Sequence, residues 1–404
     1  MHTHRQFIAI LSAILFLMAG CIEETTIDDN GWTSEGVSAV ISSNNNFALD
    51  LFSKFREESG NVFFSPYSVS VALAMTYEGA RGKTAEEMQR VLHIPENESE
   101  RRPNFARIIN EVNKKDGKYT LSTANALWVQ EGYKLLDEYL DVVERYYGGK
   151  AANLDFVRET EKSRQTINAW VEGQTNGKII ELLHEKDLTM ETALVLTNAI
   201  YFKGKWLLQF DPENTREEEF TTAAGKRVKV PMMGLTGEEL NYAEKDGAQI
   251  LEMAYEGEDL SMMLILPEDN DLESVERSLT PENISEWREA LVEQRVDVFV
   301  PRFSLKTRYS MKDTLIEMGM PTAFSADANL SGMNGAGGLI IGNVIHQAFI
   351  EVNEEGSEAA GATAVIVLRS VQKTPVFRAD HPFIFLIRHG DNILFMGRVS
   401  DPTG

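Results

Sequence analysis

The sequence predicts one α+β domain organised around a large sheet, and three observations predict it. Strand-like apolar runs recur along the chain, at 121–129, 193–202, 250–254, 262–266, 296–300, 345–352, 383–387 and 393–399. Helical periodicity falls between them, most clearly at 161–175 and 311–318. No repeat period, low-complexity block or composition break divides the chain after residue 47, so the 404 residues read as a single large domain rather than several small ones.

The N-terminus reads as a targeting segment. Arg5 precedes an apolar run over 7–19, too short to cross a bilayer, which ends Leu17-Met18-Ala19-Gly20-Cys21. Small residues directly before a cysteine resemble the lipobox of prokaryotic lipoproteins, in which the cysteine is lipidated and becomes the first residue. A plain signal peptide with a chance cysteine is the alternative. Residues 1–20 are thus expected to be removed. Residues 21–46 are read as an acidic flexible tether, because 22–46 holds Glu23, Glu24, Asp28, Asp29 and Glu35 with no Lys or Arg. Cys21 is the only cysteine, so no intrachain disulfide can form.

The domain is expected over 47–404. Phe47, Ala48, Leu51, Phe52 and Phe55 recur at helical spacing and give one apolar face. The block 61–68 follows, then an apolar run over 69–75. Thr84 with Glu87 three residues later forms a capping-box pattern for a helix reaching about Leu92. The polar, mixed stretch 95–118 reads as a loop-rich connection with room for one helix.

Composition narrows the function. With 62 Asp and Glu against 39 Lys and Arg the net charge is −23, which argues against nucleic acid or an anionic polysaccharide as the main partner. Lys114, Lys115 and Lys118 form the best local basic run, but a solvated helix end or turn is the simpler reading of them. Enzyme signatures are missing. There is no GxSxG elbow, and 173–178 is one residue short of a P-loop. His184-Glu185 lacks the second histidine of a zinc helix. Ser370-Val371-Gln372-Lys373 matches SxxK but has neither an SDN element nor a KTG strand beside it. No enzyme activity, cofactor or metal site is expected.

The most informative stretch is Glu354-Glu355-Gly356-Ser357-Glu358-Ala359-Ala360-Gly361-Ala362-Thr363-Ala364, which runs into Val365-Ile366-Val367-Leu368. As a strand it would place Ser357, Ala359, Gly361, Thr363, Val365 and Val367 on one face, none of them charged or bulky. The glycines and the β-branched end disfavour a helix. Such a face can enter a sheet without stranding a charge.

That run resembles the hinge and reactive loop of the serpins, the serine protease inhibitors that trap proteases by loop insertion. Ser357 takes the Thr/Ser place of the family pattern, and Gly361 replaces one of the usual alanines. The likeness extends over roughly 47–404. It includes 61–69 (Asn-Val-Phe-Phe-Ser-Pro-Tyr-Ser-Val) and 197–206 (Thr-Asn-Ala-Ile-Tyr-Phe-Lys-Gly-Lys-Trp), then 300–303, 380–385 and 394–399, in the family order.

The resemblance implies a serpin fold: a large central sheet, further sheets, about eight or nine helices and an exposed reactive-centre loop. It implies an inhibitor that acts as a suicide substrate. A target serine protease would attack the bait bond, form a covalent acyl complex and be carried away as the loop inserts. Cross-inhibition of cysteine proteases lies within the family's range. The bait bond is Ser370–Val371 by a fourteen-residue count from Gly356, or Arg369–Ser370 by counting back from Phe377. By resemblance Ser65, Ser68, Asn198 and His346 form the shutter beneath the sheet, and Trp206 lies at the breach where insertion starts. The chain is then expected to be a monomer, exported, and held at the membrane through Cys21. The alternative is a serpin-fold binding or chaperone protein that no longer inhibits.

Overall fold

The structure is a computed structural model and describes residues 27–114, 118–356 and 374–404. Cys21, hinge positions 357–363 and both candidate bait bonds lie outside the described residues.

In chain order the first elements are α1 (Ser34–Phe55), β1 (Val62–Phe64), α2 (Pro66–Gly79), α3 (Gly82–Leu92) and α4 (Glu98–Val112). Next come β2 (Tyr119–Gln130), α5 (Asp137–Tyr147), β3 (Lys150–Leu154), α6 (Thr160–Gln174) and β4 (Leu194–Gly204). The hairpin β5 (Arg216–Thr221) and β6 (Arg227–Lys245) is followed by β7 (Ala248–Ala254) and β8 (Leu260–Pro267). Two short helices, α7 (Leu272–Ser278) and α8 (Pro281–Ala290), lead into β9 (Val292–Pro301) and β10 (Phe303–Ser310). The chain ends with α9 (Lys312–Met318), α10 (Ser331–Asn334), β11 (Ile341–Val352), β12 (Val376–Arg378), β13 (Phe383–His389) and β14 (Asn392–Val399). Ten α-helices lie among the described residues, against the eight or nine expected.

Two sheets hold the molecule together. A five-stranded sheet runs β10-β11-β4-β2-β3, and a nine-stranded one runs β1-β14-β13-β8-β7-β6-β9-β12 with β5 paired to β6. In the smaller sheet β10–β11 and β4–β2 are antiparallel, whereas β11 and β4 are parallel neighbours. β4 is buried on both faces, as a central strand should be, and mostly apolar apart from Thr197 and Asn198. Leu194, Leu196, Ile200 and Phe202 join the main core with α1, α2 and the larger sheet. Val195 and Ala199 face a second cluster with Trp128, Phe156, Ile167 and Val171 under α6. All fourteen residues of α2 are buried, so that helix is the central pillar between the sheets. The Glu78 side chain near its end is 1% exposed and accepts from Arg101, Arg102 and the Tyr147 hydroxyl, which ties α2 to α4 and α5.

Three expectations need correction. Ordered chain starts well before Phe47, since α1 begins at Ser34 with Thr33 as its N-cap. One face of its first half (Gly36, Val40, Ser43 and Asn44) is buried: Asn44 donates to Asn392 and to the Ile393 carbonyl, and Val40 joins the core. Thr84 does not cap α3, whose N-cap position is Arg81. Its hydroxyl accepts from the Asn329 N–H, and Glu87 accepts from the Thr322 N–H and hydroxyl, so both polar groups serve tertiary contacts. The stretch 95–118 is mostly one fifteen-residue helix, α4, despite Pro103 within it.

Candidate functional site

The site is built at two levels of the five-stranded sheet, where β11 and β4 lie side by side. The first level is a buried polar row. Asn125 on β2, Asn198 on β4, His346 on β11 and Tyr309 on β10 are successive register partners, one residue from each of four adjacent strands. Above them sits the N-terminus of α2, where Ser65 caps the helix by accepting from the Ser68 N–H at 3.1 Å. Asn198 and His346 face inward because they alternate with residues of the opposite face, Thr197 and Ile345.

Hydrogen bonds fix every member of this row. The Ser65 N–H donates to His346 Nε2 at 3.1 Å, so Nδ1 carries the proton and donates to Asn198 Oδ1. The Asn198 amide donates to Ser68 Oγ at 2.6 Å and to Asn125 Oδ1, and the Ser68 hydroxyl donates to Asn125 Oδ1 at 3.2 Å. Ser65 completes its own pairing by donating to the Leu394 carbonyl at 2.6 Å. Complete burial drives the His346 pKa down to about 3, against a smaller opposing effect of Asn198, so the ring is neutral. The sequence-expected residues Ser65, Ser68, Asn198 and His346 therefore meet. Asn125 and Tyr309 were not anticipated; the signal for Asn125 was a lone amide inside the apolar run 121–129.

The second level lies at the end of the sheet where β11 and β4 both finish. Asn353 and Gly356 close a two-residue hairpin, with the Asn353 N–H donating to the Gly356 carbonyl at 2.8 Å and the Gly356 N–H returning to Asn353 at 3.2 Å. Gly356 also bridges Lys205 in antiparallel fashion, so it sits between the continuations of β11 and β4. Only glycine fits. Its φ is +136°, and an added Cβ would lie 2.2 Å from the Gly204 carbonyl oxygen and 2.7 Å from Trp206 N.

Trp206 holds this turn. Its indole N–H donates to the Asn353 carbonyl at 3.0 Å, its backbone N–H donates to the Glu355 carbonyl at 2.8 Å, and its ring stacks on Tyr255 at 4.5 Å. Glu354 is buried and accepts from Arg302 and from the Thr215 hydroxyl at 2.6 Å. Burial works against its charged form, but these hydrogen bonds outweigh it and hold the carboxyl below the ordinary range. Glu354, Glu355, Gly356 and Trp206 thus come together, joined by Thr215, Arg302 and Tyr255, which sequence reasoning did not single out.

Comparison with known proteins agrees with this architecture. The family model described as Serpin (serine protease inhibitor) matches residues 42–402. The chain is 40% identical to an uncharacterized serpin-like protein of Methanosarcina mazei, covering 98% of this chain and 97% of that one. It is 42% identical to the leukocyte elastase inhibitor of Xenopus laevis, covering 88% and 97%. Among solved structures, Serpin48 of Tenebrio molitor has a TM-score of 0.83 at 33% identity, covering 90% of this chain and 98% of that chain. Human thyroxine-binding globulin has 0.83 at 31%, covering 91% and 100%. With the fold, the paired strands and the turn at 353–356 in place, and the family model matching over 42–402, the chain belongs to the serpin family.

Proposed function

We propose that this protein inhibits serine proteases as a suicide substrate, through insertion of its cleaved loop between β4 and β11, and that it is not itself an enzyme. One observation carries the reading. Gly356 already occupies the first position of a strand that would run antiparallel to both β4 and β11, because those two strands are parallel to each other and the chain has reversed at 353–356.

The energy follows from that geometry. A strand entering there replaces one parallel ladder by two antiparallel ones, which adds roughly 0.5–1.5 kcal/mol for each new hydrogen bond and exchanges the weaker pairing for the stronger. Valines at 365 and 367 would each contribute about 1.5–3 kcal/mol on burial. Ordering the loop takes back part of this. A fourteen-residue strand is about 46 Å long at 3.3 Å per residue, enough to carry an attached acyl-enzyme from one end of the sheet towards the other.

In this scheme each named group has a task. The protease serine attacks the carbonyl of Ser370, or of Arg369, and the acyl bond forms as the peptide bond breaks. Trp206, Glu354 and Gly356 hold the entry point. The contact between His346 and Asn198 must part for β4 and β11 to separate, so Ser65, Ser68, Asn198 and His346 act as the latch. The chain works as a monomer, is exported, and is held at a membrane by a lipid on Cys21.

The test is Thr363→Arg, which sets a guanidinium on the inward face. The variant should be cleaved as a substrate without forming the detergent-stable covalent complex that the parent forms with a trypsin-, elastase- or subtilisin-like protease. A persistent complex from the variant would refute insertion as the trapping step.

A further inference from the structure

We propose that the surface made by residues 27–33 with α4 and α5 faces a lipid bilayer and is held there at short range. This rests on the reading of Cys21 as lipid-bearing. A freely mobile stretch over 21–46 would let the domain stand as far as about 90 Å from its anchor.

The structure shortens that reach. Ile27 is tied to α4 by two hydrogen bonds, its N–H to Asn110 Oδ1 at 3.2 Å and the Asn110 amide back to its carbonyl at 2.8 Å. The Asp28 N–H donates to the Arg145 carbonyl of α5 at 2.8 Å, and the Arg145 guanidinium returns to Asp28. The Thr33 N–H donates to Asn104 Oδ1 at 3.0 Å. Asn104, Arg107 and Asn110 form one stripe of α4 along which this strap is laid. Ile27 lies six positions after Cys21, a stretch that spans at most about 22 Å fully extended. A lipid on Cys21 therefore cannot lie farther than that from the strap.

The surface itself has an interfacial character. Trp32 is 42% exposed, the only exposed tryptophan of the five, and its ring stacks on the Arg107 guanidinium at 4.5 Å. Arg145 lies over Tyr146 at 5.3 Å. Tryptophan and tyrosine rings beside cations are the side chains that sit at headgroup level. α5 also exposes Glu138, Asp141 and Glu144, so the bilayer suited to this face is zwitterionic rather than strongly anionic.

The test uses the chain from Cys21 onward, with its single cysteine coupled to a maleimide-bearing phospholipid in phosphatidylcholine vesicles containing a doxyl-labelled quencher lipid. Trp32 emission should be quenched, W32F should show no quenching, and a spacer of about forty Gly/Ser residues before Ile27, with an r.m.s. reach near 35 Å, should relieve it. Emission unaffected by the quencher, or quenching that survives the spacer, overturns the surface assignment. Mass analysis of the native N-terminus separates the two readings: an unmodified Cys21 removes the membrane partner, whereas a lipidated Cys21 with unquenched Trp32 removes only the surface.

Discussion

Replacing Asn198 by alanine should strike the uncleaved molecule and largely spare the cleaved one. Asn198 is fully buried and is the link between β4 and β11 at the polar row, accepting from His346 Nδ1–H while donating to Ser68 and Asn125. Its loss leaves one buried imidazole N–H without an acceptor, at about 1–3 kcal/mol. A small void adds to this, for a total of about 2–4 kcal/mol. Ser68 and Asn125 keep their mutual hydrogen bond, and His346 keeps the Ser65 N–H.

Insertion would move β4 away from β11 by a further strand spacing of about 4.8 Å, so the Asn198–His346 contact exists only beforehand. The deficit then belongs to the uncleaved state. Spontaneous conversion to an inactive, loop-inserted form should accelerate by up to roughly 30- to 900-fold if the transition state has already lost the contact. The assay is the half-time for loss of complex-forming capacity at constant temperature, with thermal melts of intact and clipped N198A beside the parent. Equal destabilisation of both forms would refute the reasoning, because the contact would then persist through insertion and could not be a latch.

Two further perturbations address neighbouring groups. Gly356→Ala has no room for its methyl group and demands a φ of +136°; it should unseat the turn at 353–356, seen as faster limited proteolysis there and, on the proposed mechanism, a higher ratio of substrate to inhibitor behaviour. His346 has a folded pKa near 3 against an ordinary value of 6.5, so the unfolded chain binds the proton first. Stability should be full above about pH 6.5 and fall towards pH 3 by up to about 1.4 kcal/mol per unit. His346→Asn, followed by chemical denaturation across pH 7 to 4, should lose that share of the slope.

Much of the architecture was legible because strand signals and burial coincide. β4, β13 and β14 are largely apolar runs that appear within two residues of their expected limits, and β11 ends where expected but starts four residues earlier, at Ile341. β6 was not, since Pro231, Gly234 and Gly237 interrupt it and its register shifts between Leu235 and Glu238. The first half of α1 reads as tether because Ser and Asn dominate it; the burial of Asn44 depends on acceptors in β14, 348 residues away, which local pattern cannot supply. The polar row shows the same limit. Ser65 and His346 were identified through family likeness, whereas Asn125 becomes meaningful only once register sets it opposite Asn198.

The most direct measurement compares thermal unfolding of the intact chain with that of the chain clipped once in the segment 369–371. A fold that stores free energy in an uninserted strand should unfold at a clearly higher temperature after the clip. A clipped molecule that unfolds at or below the temperature of the intact one would contradict insertion, and the inhibitory mechanism with it.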